Sequence, residues 1–131
     1  MKLLLDSHIW IWSQLTPERL KPKVAAALAD GRTELWISAV TVWEVILLSD
    51  SGRLALRPDP IQWIRRTLAI WDYREAPLTH EIALASRRLD LAHDDPADRF
   101  LVATAKVLDL TLVTADERLL ACKQIALLPN R

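Results

Sequence analysis

Leu3-Leu4-Leu5-Asp6 is the stretch from which the architecture unfolds. Three apolar residues ended by a carboxylate form the pattern of a buried strand that empties into a polar site. Similar runs recur downstream at Leu35-Trp36-Ile37, Glu75 to Leu78 and Leu110 to Val113, and the tail Ile125 to Leu128 can add an edge strand. Helix signals separate them. His8 to Trp12 starts a short helix, and Thr16-Pro17-Glu18 places a hydroxyl cap before a proline, with Lys23 to Asp30 continuing that helix as far as Gly31. Ser38 caps a helix to Asp50 closed by Gly52, Asp59-Pro60 opens one through Trp71, and Thr79 one through Leu89. Asp95-Pro96 opens the last long helix, to Leu108. Apolar strands alternating with helices over short links predict an α/β sandwich around a mainly parallel sheet. No repeat, low-complexity tract or linker interrupts this order, so a single domain over residues 1–131 is expected.

Composition removes several function classes. The two glycines, Gly31 and Gly52, leave no Gly-rich loop to cradle a nucleotide phosphate. Lys plus Arg and Asp plus Glu balance at 17 each, so bulk charge does not argue for nucleic acid. A local acidic site inside a basic rim would be masked in that sum. The single Cys122 fits a reducing cytoplasm, and no apolar run reaches signal-peptide or membrane-spanning length. A soluble cytoplasmic protein with no membrane partner is the expectation.

The chemistry concentrates in carboxylates. Asp6 stands at the carboxyl end of the first strand, where parallel α/β sheets usually bind ligands, although an Asp there can also simply form a turn. Glu44 lies on a helix with scarcely a polar face, among Val40, Val42, Trp43, Val45, Ile46, Leu47 and Leu48. A carboxylate desolvated there requires a cation, either a metal or a buried Arg. Asp95 before Pro96 reads as an N-cap, and Asp98, three residues on, either completes a capping box or points into a cleft. Asp116 follows the Leu110–Val113 strand with Thr114 two residues earlier, and it can equally cap a helix over 117–122. Together these groups are best satisfied by converging on a cation, and oxygen-only ligands suit Mg²⁺ or Mn²⁺ better than Zn²⁺. His8, His80 and His93 form no metal motif and read as surface or core residues. Arg65-Arg66 and Arg87-Arg88 read as solvated helix faces, while Arg99, beside the acidic cluster, is the best candidate for a phosphate contact. The six tryptophans read mainly as core or interface, with Trp10 and Trp12 candidates to line a groove for a partner segment.

The ordered motifs Leu3-Leu4-Leu5-Asp6-Ser7-His8, Ile37-Ser38-Ala39-Val40-Thr41-Val42-Trp43-Glu44, Gly52-Arg53-Leu54, Pro77-Leu78-Thr79, His93-Asp94-Asp95-Pro96-Ala97-Asp98-Arg99-Phe100-Leu101 and Leu112-Val113-Thr114-Ala115-Asp116 resemble the PIN-domain family. Within it they are similar to the VapC-type toxins of VapBC toxin–antitoxin pairs. The resemblance spans Leu3 to Leu128. It implies a three-layer α/β/α sandwich with a mainly parallel central sheet and Mg²⁺- or Mn²⁺-dependent endoribonuclease activity. It further implies an acidic site of Asp6, Glu44, Asp98 and Asp116, with Asp6 and Asp98 as principal metal ligands. Thr114 would support Asp116 through its hydroxyl, Asp95 and Arg99 would flank Asp98, and Ser7 would sit beside Asp6. A cognate antitoxin, an RNA substrate and a homodimer are the partners it implies. Two positions depart from the pattern: Leu47-Leu48 stands where such toxins often carry a Lys, and Ala97 where a bulkier aromatic is common. All four acidic positions are intact. Two other classes remain open on sequence, a catalytically silent PIN-like RNA-binding or interaction module and a metal-dependent phosphatase. The second lacks a further Asp two residues after Asp6.

Overall fold

In a computed structural model, which describes residues 1–131, five strands form one sheet: β1 (Lys2–Leu5), β2 (Glu34–Ser38), β3 (Tyr73–Ala76), β4 (Thr111–Thr114) and β5 (Leu127–Pro129). Their order is β3-β2-β1-β4-β5, and every neighbouring pair is parallel. The three leucines of β1 explain its central place, because a strand covered on both faces has no polar side to offer.

Alternation along the strands divides the core in two. Leu3 and Leu5 of β1, Ile37 of β2 and Val113 of β4 face one layer; Leu4 and Leu112 face the other. The first layer holds α1 (Ser7–Leu15), α2 (Pro22–Ala29), Val45 of α3 (Ala39–Asp50) and α4 (Pro60–Ile70), with the rings of Trp10 and Trp63 meeting at a tilt, 5.7 Å between centroids. The second layer holds α5 (His80–Ser86), α6 (Pro96–Leu108) and α7 (Glu117–Leu120), packed through Ile82, Leu101, Val102 and Leu119. The predicted three-layer sandwich is therefore observed, and its sheet is parallel throughout. No helix is long and apolar enough to cross a membrane.

Side-chain caps set most helix starts where the sequence places them. Ser38 accepts the Val40 N–H, Asp59 that of Gln62 and Thr79 that of Ile82. Gly52, at φ 79°, takes the left-handed turn that closes α3.

Four expectations are corrected. Thr16 makes no side-chain cap, and the continuous helix expected from Pro17 to Asp30 is a 3-10 turn, Pro17–Arg19, followed by a separate α2. Pro22 has no N–H to continue the first turn and holds Lys21 extended, so the helix restarts there. Gly31 is not the closing residue, since α2 already ends at an extended Asp30. Strand β3 covers Tyr73–Ala76 rather than 75–78, because its last pairing is Ser38 with Ala76 and Pro77 cannot donate to the ladder. Helix α5 stops at Ser86, short of Leu89.

The chain runs from β1 outward to β3, then crosses back to place β4 on the other side of β1. This reversal opens a crevice at the carboxyl ends of β1 and β4, the place where such sheets collect ligands.

Candidate active site

Asp6 leaves β1 at that crevice and starts α1. Its Oδ1 accepts the Ser7 N–H at 2.8 Å, its Oδ2 accepts the Thr114 hydroxyl at 2.6 Å, and its backbone N–H donates to the Val113 carbonyl at 3.0 Å. The side chain is pinned from both central strands. Burial pushes its carboxyl above the usual range, against the hydrogen bonds from Thr114 and Ser7, and nearby Asp116 adds to the rise.

Thr114 corrects the expected support. Its hydroxyl donates to Asp6 and accepts the Asp116 backbone N–H at 3.0 Å, so it ties Asp6 to the turn after β4 and does not touch the Asp116 carboxylate. Asp116 caps α7 by accepting the Arg118 N–H at 2.9 Å. Partial burial pushes Asp116 up, but the side-chain and backbone hydrogen bonds from Arg118 outweigh it and hold the carboxyl below its ordinary value.

Asp95 and Asp98 separate into two roles. Asp95 Oδ1 accepts the N–H groups of Ala97 and Asp98, at 3.0 and 3.2 Å, as an N-cap does. Asp98 points into the cleft, 7% exposed, with its Oδ2 at 2.8 Å from His93 Nε2 and 3.6 Å from Arg118 Nη2. Burial raises its carboxyl most, the His93 hydrogen bond opposes this, and Asp95, Asp6 and Asp116 add repulsion.

Glu44, on α3, makes no ion pair, which removes the buried-Arg explanation for its position. Burial first, then repulsion from Asp6, Asp98 and Asp95, pushes its carboxyl up to about 7. The folded protein thus keeps a proton that the unfolded chain releases near 4.5. The resulting stability is complete below that pH and is lost as pH rises through 7. Glu44→Gln is therefore expected to raise the melting temperature of the ion-free protein at pH 8 and not at pH 4. Partial exposure keeps the gain at about 1–2 kcal/mol. Melting curves of both proteins at the two pH values check this.

Asp6, Glu44, Asp98 and Asp116 all line one cleft of about 860 Å³, with Ser7 and Asp95 beside them. They ring it without three of them closing into a cage. The inward oxygens are otherwise engaged by Thr114, His93 and Arg118. Leu47 and Leu48 line the same cleft where a Lys was the alternative, and Trp43, 53% exposed, adds an aromatic face. Trp12 also lines it, whereas Trp10 is fully buried in the core and lines no groove.

Arg99 does not join the cluster. Its Nη1 donates to the carbonyls of Ser86 and Leu89 and its Nη2 to that of Leu91, at 3.1, 3.4 and 3.3 Å. Its Nε lies 3.0 Å from Asp94 Oδ1, off the hydrogen-bonding direction. The guanidinium fastens the segment between α5 and α6. The sequence does not single out two partners of the acidic cluster: Arg118, which lines the cleft, and His93, which holds Asp98 without lining it. Their only signal was nearness in sequence to Asp98 and Asp116.

The carboxylates of Asp6, Glu44, Asp98 and Asp116, which repel one another across the cleft, are oxygen donors of the kind a hard divalent cation takes. Comparison with known proteins agrees with this architecture. The PIN domain family model matches residues 3–124. Ribonuclease VapC22 of Mycobacterium tuberculosis (strain ATCC 25618 / H37Rv) is 30% identical over 118 residues, covering 89% of this chain and 88% of that protein. Among solved structures, VapBC2 from Rickettsia felis bound to a promoter DNA fragment superposes with a TM-score of 0.73 at 12% identity, covering 98% of each chain. A toxin–antitoxin complex from Klebsiella pneumoniae gives 0.66 at 20% identity, again covering 98% of each. Matched along nearly its whole length by the family model and by a relative of similar extent, the chain belongs to the PIN-domain family.

Proposed function

We propose that this protein is the ribonuclease of a toxin–antitoxin pair, a metal-dependent endoribonuclease working at the Asp6 cleft. One observation carries the reading: Glu44, with no cation of its own, faces Asp6 and Asp98 across a cleft at the carboxyl edge of the sheet. Such a concentration of like charge is tolerable when a divalent ion is bound. Asp6 and Asp98 are the principal ligands in this reading, with Glu44 and Asp116 acting directly or through ion-bound waters, and Mg²⁺ or Mn²⁺ is the ion. When bound, such an ion supplies positive charge against the phosphodiester and acidifies water.

The chain's own residues do the rest. Ser7 and Thr114 hold the two Asp6 oxygens in fixed directions, and His93 orients Asp98. Glu44 holds a proton near neutral pH and gives it up when positive charge enters the cleft, which leaves its carboxylate free to accept a proton from attacking water. The open cleft, with Trp43 exposed on it, admits a single RNA strand more readily than a duplex. The relatives, a ribonuclease and a toxin–antitoxin complex, support RNA as substrate and an antitoxin as partner. A homodimer is part of the same proposal.

The test is to incubate ion-stripped protein with RNA, with and without Mn²⁺, and to analyse the product ends. Ion-dependent cleavage leaving 5′-phosphate and 3′-hydroxyl ends is expected. A 2′,3′-cyclic phosphate would contradict attack by water, and tight RNA binding without cleavage would favour a silent module. Thr114→Val is expected to lower the rate about 10- to 100-fold by releasing Asp6, as loss of an orienting partner does. It also costs about 1–2 kcal/mol, because the part-buried Asp116 N–H loses its acceptor and the buried Asp6 carboxylate its donor. Thr114→Ser restores most of both, which rate and urea-melt measurements on the pair will read.

A further inference from the structure

Arg118 is the only Lys or Arg side chain in contact with the acidic cluster. Its Nη2 lies 3.2 Å from Asp116 Oδ2 and 3.6 Å from Asp98 Oδ2, and its Nε lies 3.4 Å from Asp116 Oδ1. These oxygens belong to the carboxylates assigned to the metal under the proposed function, on which this inference rests. The backbone of Arg118 is fixed by the Asp116 cap, whereas its side chain is 59% exposed and free to change direction. Arg99, at 12% exposure, is locked by three carbonyls and has no such freedom.

We propose that Arg118 is a two-position residue: its guanidinium bridges Asp98 and Asp116 in the ion-free protein, yields their oxygens to a divalent cation, and then meets the phosphodiester. A guanidinium stays charged at every relevant pH, so exchange with the ion occurs by displacement rather than by proton loss. Its planar fork suits a phosphate as well as a carboxylate, and turning outward from the short α7 leaves it on the lip of the cleft. Before the ion arrives, the arginine softens the repulsion between two carboxylates. Afterwards it adds a positive contact where the RNA backbone lies.

Mn²⁺ titrated calorimetrically into ion-free wild-type protein, Arg118→Gln, Arg118→Lys and Arg53→Gln tests this, together with steady-state RNA cleavage at saturating Mn²⁺. Arg53 lines the same cleft without an ion pair and controls for general charge. The expected result is Mn²⁺ affinity about three- to tenfold tighter in Arg118→Gln, intermediate in Arg118→Lys and within about twofold of wild type in Arg53→Gln. KM for RNA should rise about fivefold in Arg118→Gln while kcat stays within about threefold. Unchanged or weaker Mn²⁺ affinity in Arg118→Gln overturns the proposal, and so does tighter Mn²⁺ binding with unchanged KM. If wild-type protein binds no Mn²⁺, the metal reading of the cleft fails as well; if it binds and Arg118→Gln gains nothing, only the role of Arg118 fails.

Discussion

Asp6→Asn is expected to lower RNA cleavage by on the order of 10³-fold, corresponding to several kcal/mol of charge stabilisation lost with one carboxylate ligand. The fold should survive. Asparagine is as good an N-cap as aspartate, so its amide oxygen keeps the Ser7 N–H, while its Nδ2 faces Thr114 and donates to a hydroxyl that turns its own proton away. The substitution also removes a buried charge whose carboxyl is already pushed upward, so the melting temperature should hold or rise above neutral pH. Rates measured beside melting curves separate the two effects. Cleavage near the wild-type rate would remove Asp6 from the reaction, and a collapse in stability would make the loss of rate uninformative about chemistry. Asp6→Ala, which loses the cap, serves as the destabilised contrast.

The second large effect falls on stability. Arg99→Ala should cost about 3 kcal/mol and lower the melting temperature by about 10 °C, because three loop carbonyls lose a charged donor at once. The loss arises between α5 and α6, so it disturbs the start of α6 and with it Asp98. Activity should fall through that displacement, and Arg99→Lys should recover little, since a single ammonium cannot reproduce the fork. A phosphate-binding role for Arg99 predicts the opposite pattern, unchanged urea midpoint with a raised KM for RNA. Denaturation and kinetics on one preparation decide between them.

Arg99 follows Asp98 directly, and successive helix residues point about 100° apart, so closeness in sequence to an inward Asp argues against sharing its cleft. The parts of the fold legible in sequence are those governed locally. The leucines of β1 announce a strand covered on both faces, and Ser38, Asp59, Thr79 and Asp95 announce helix starts through their own hydrogen bonds. The extent of β3 was not local, because pairing with β2 fixes its last residue. At Pro22 two local signals conflict, a proline that stops the preceding turn and an alanine run beyond it that favours helix.

The same distinction applies to the site. Glu44 stood out because a carboxylate amid apolar neighbours is costly wherever it lies, and Asp6 because it ended an apolar strand. The bond from Thr114 to Asp6 joins residues 108 positions apart, and only the pairing of β1 with β4 brings them together. His93 lies in a loop without periodicity, so beyond its nearness in sequence to Asp98 nothing in its surroundings announces the bond between them. Arg118 is hidden for another reason: an arginine on a short surface helix looks like any solvated charge until its two carboxylates are seen to share it.

Whether this cleft is built to hold a divalent ion is tested most directly by calorimetric titration of Mn²⁺ into ion-free protein at pH 6 and pH 8, for wild type, Asp6→Asn and Asp98→Asn. With Glu44 near 7 and Asp6 and Asp98 raised, wild-type binding should release protons at pH 6, should release fewer and bind more tightly at pH 8, and should be lost or greatly weakened in both variants. Equal Mn²⁺ affinity in wild type and both variants would contradict the account.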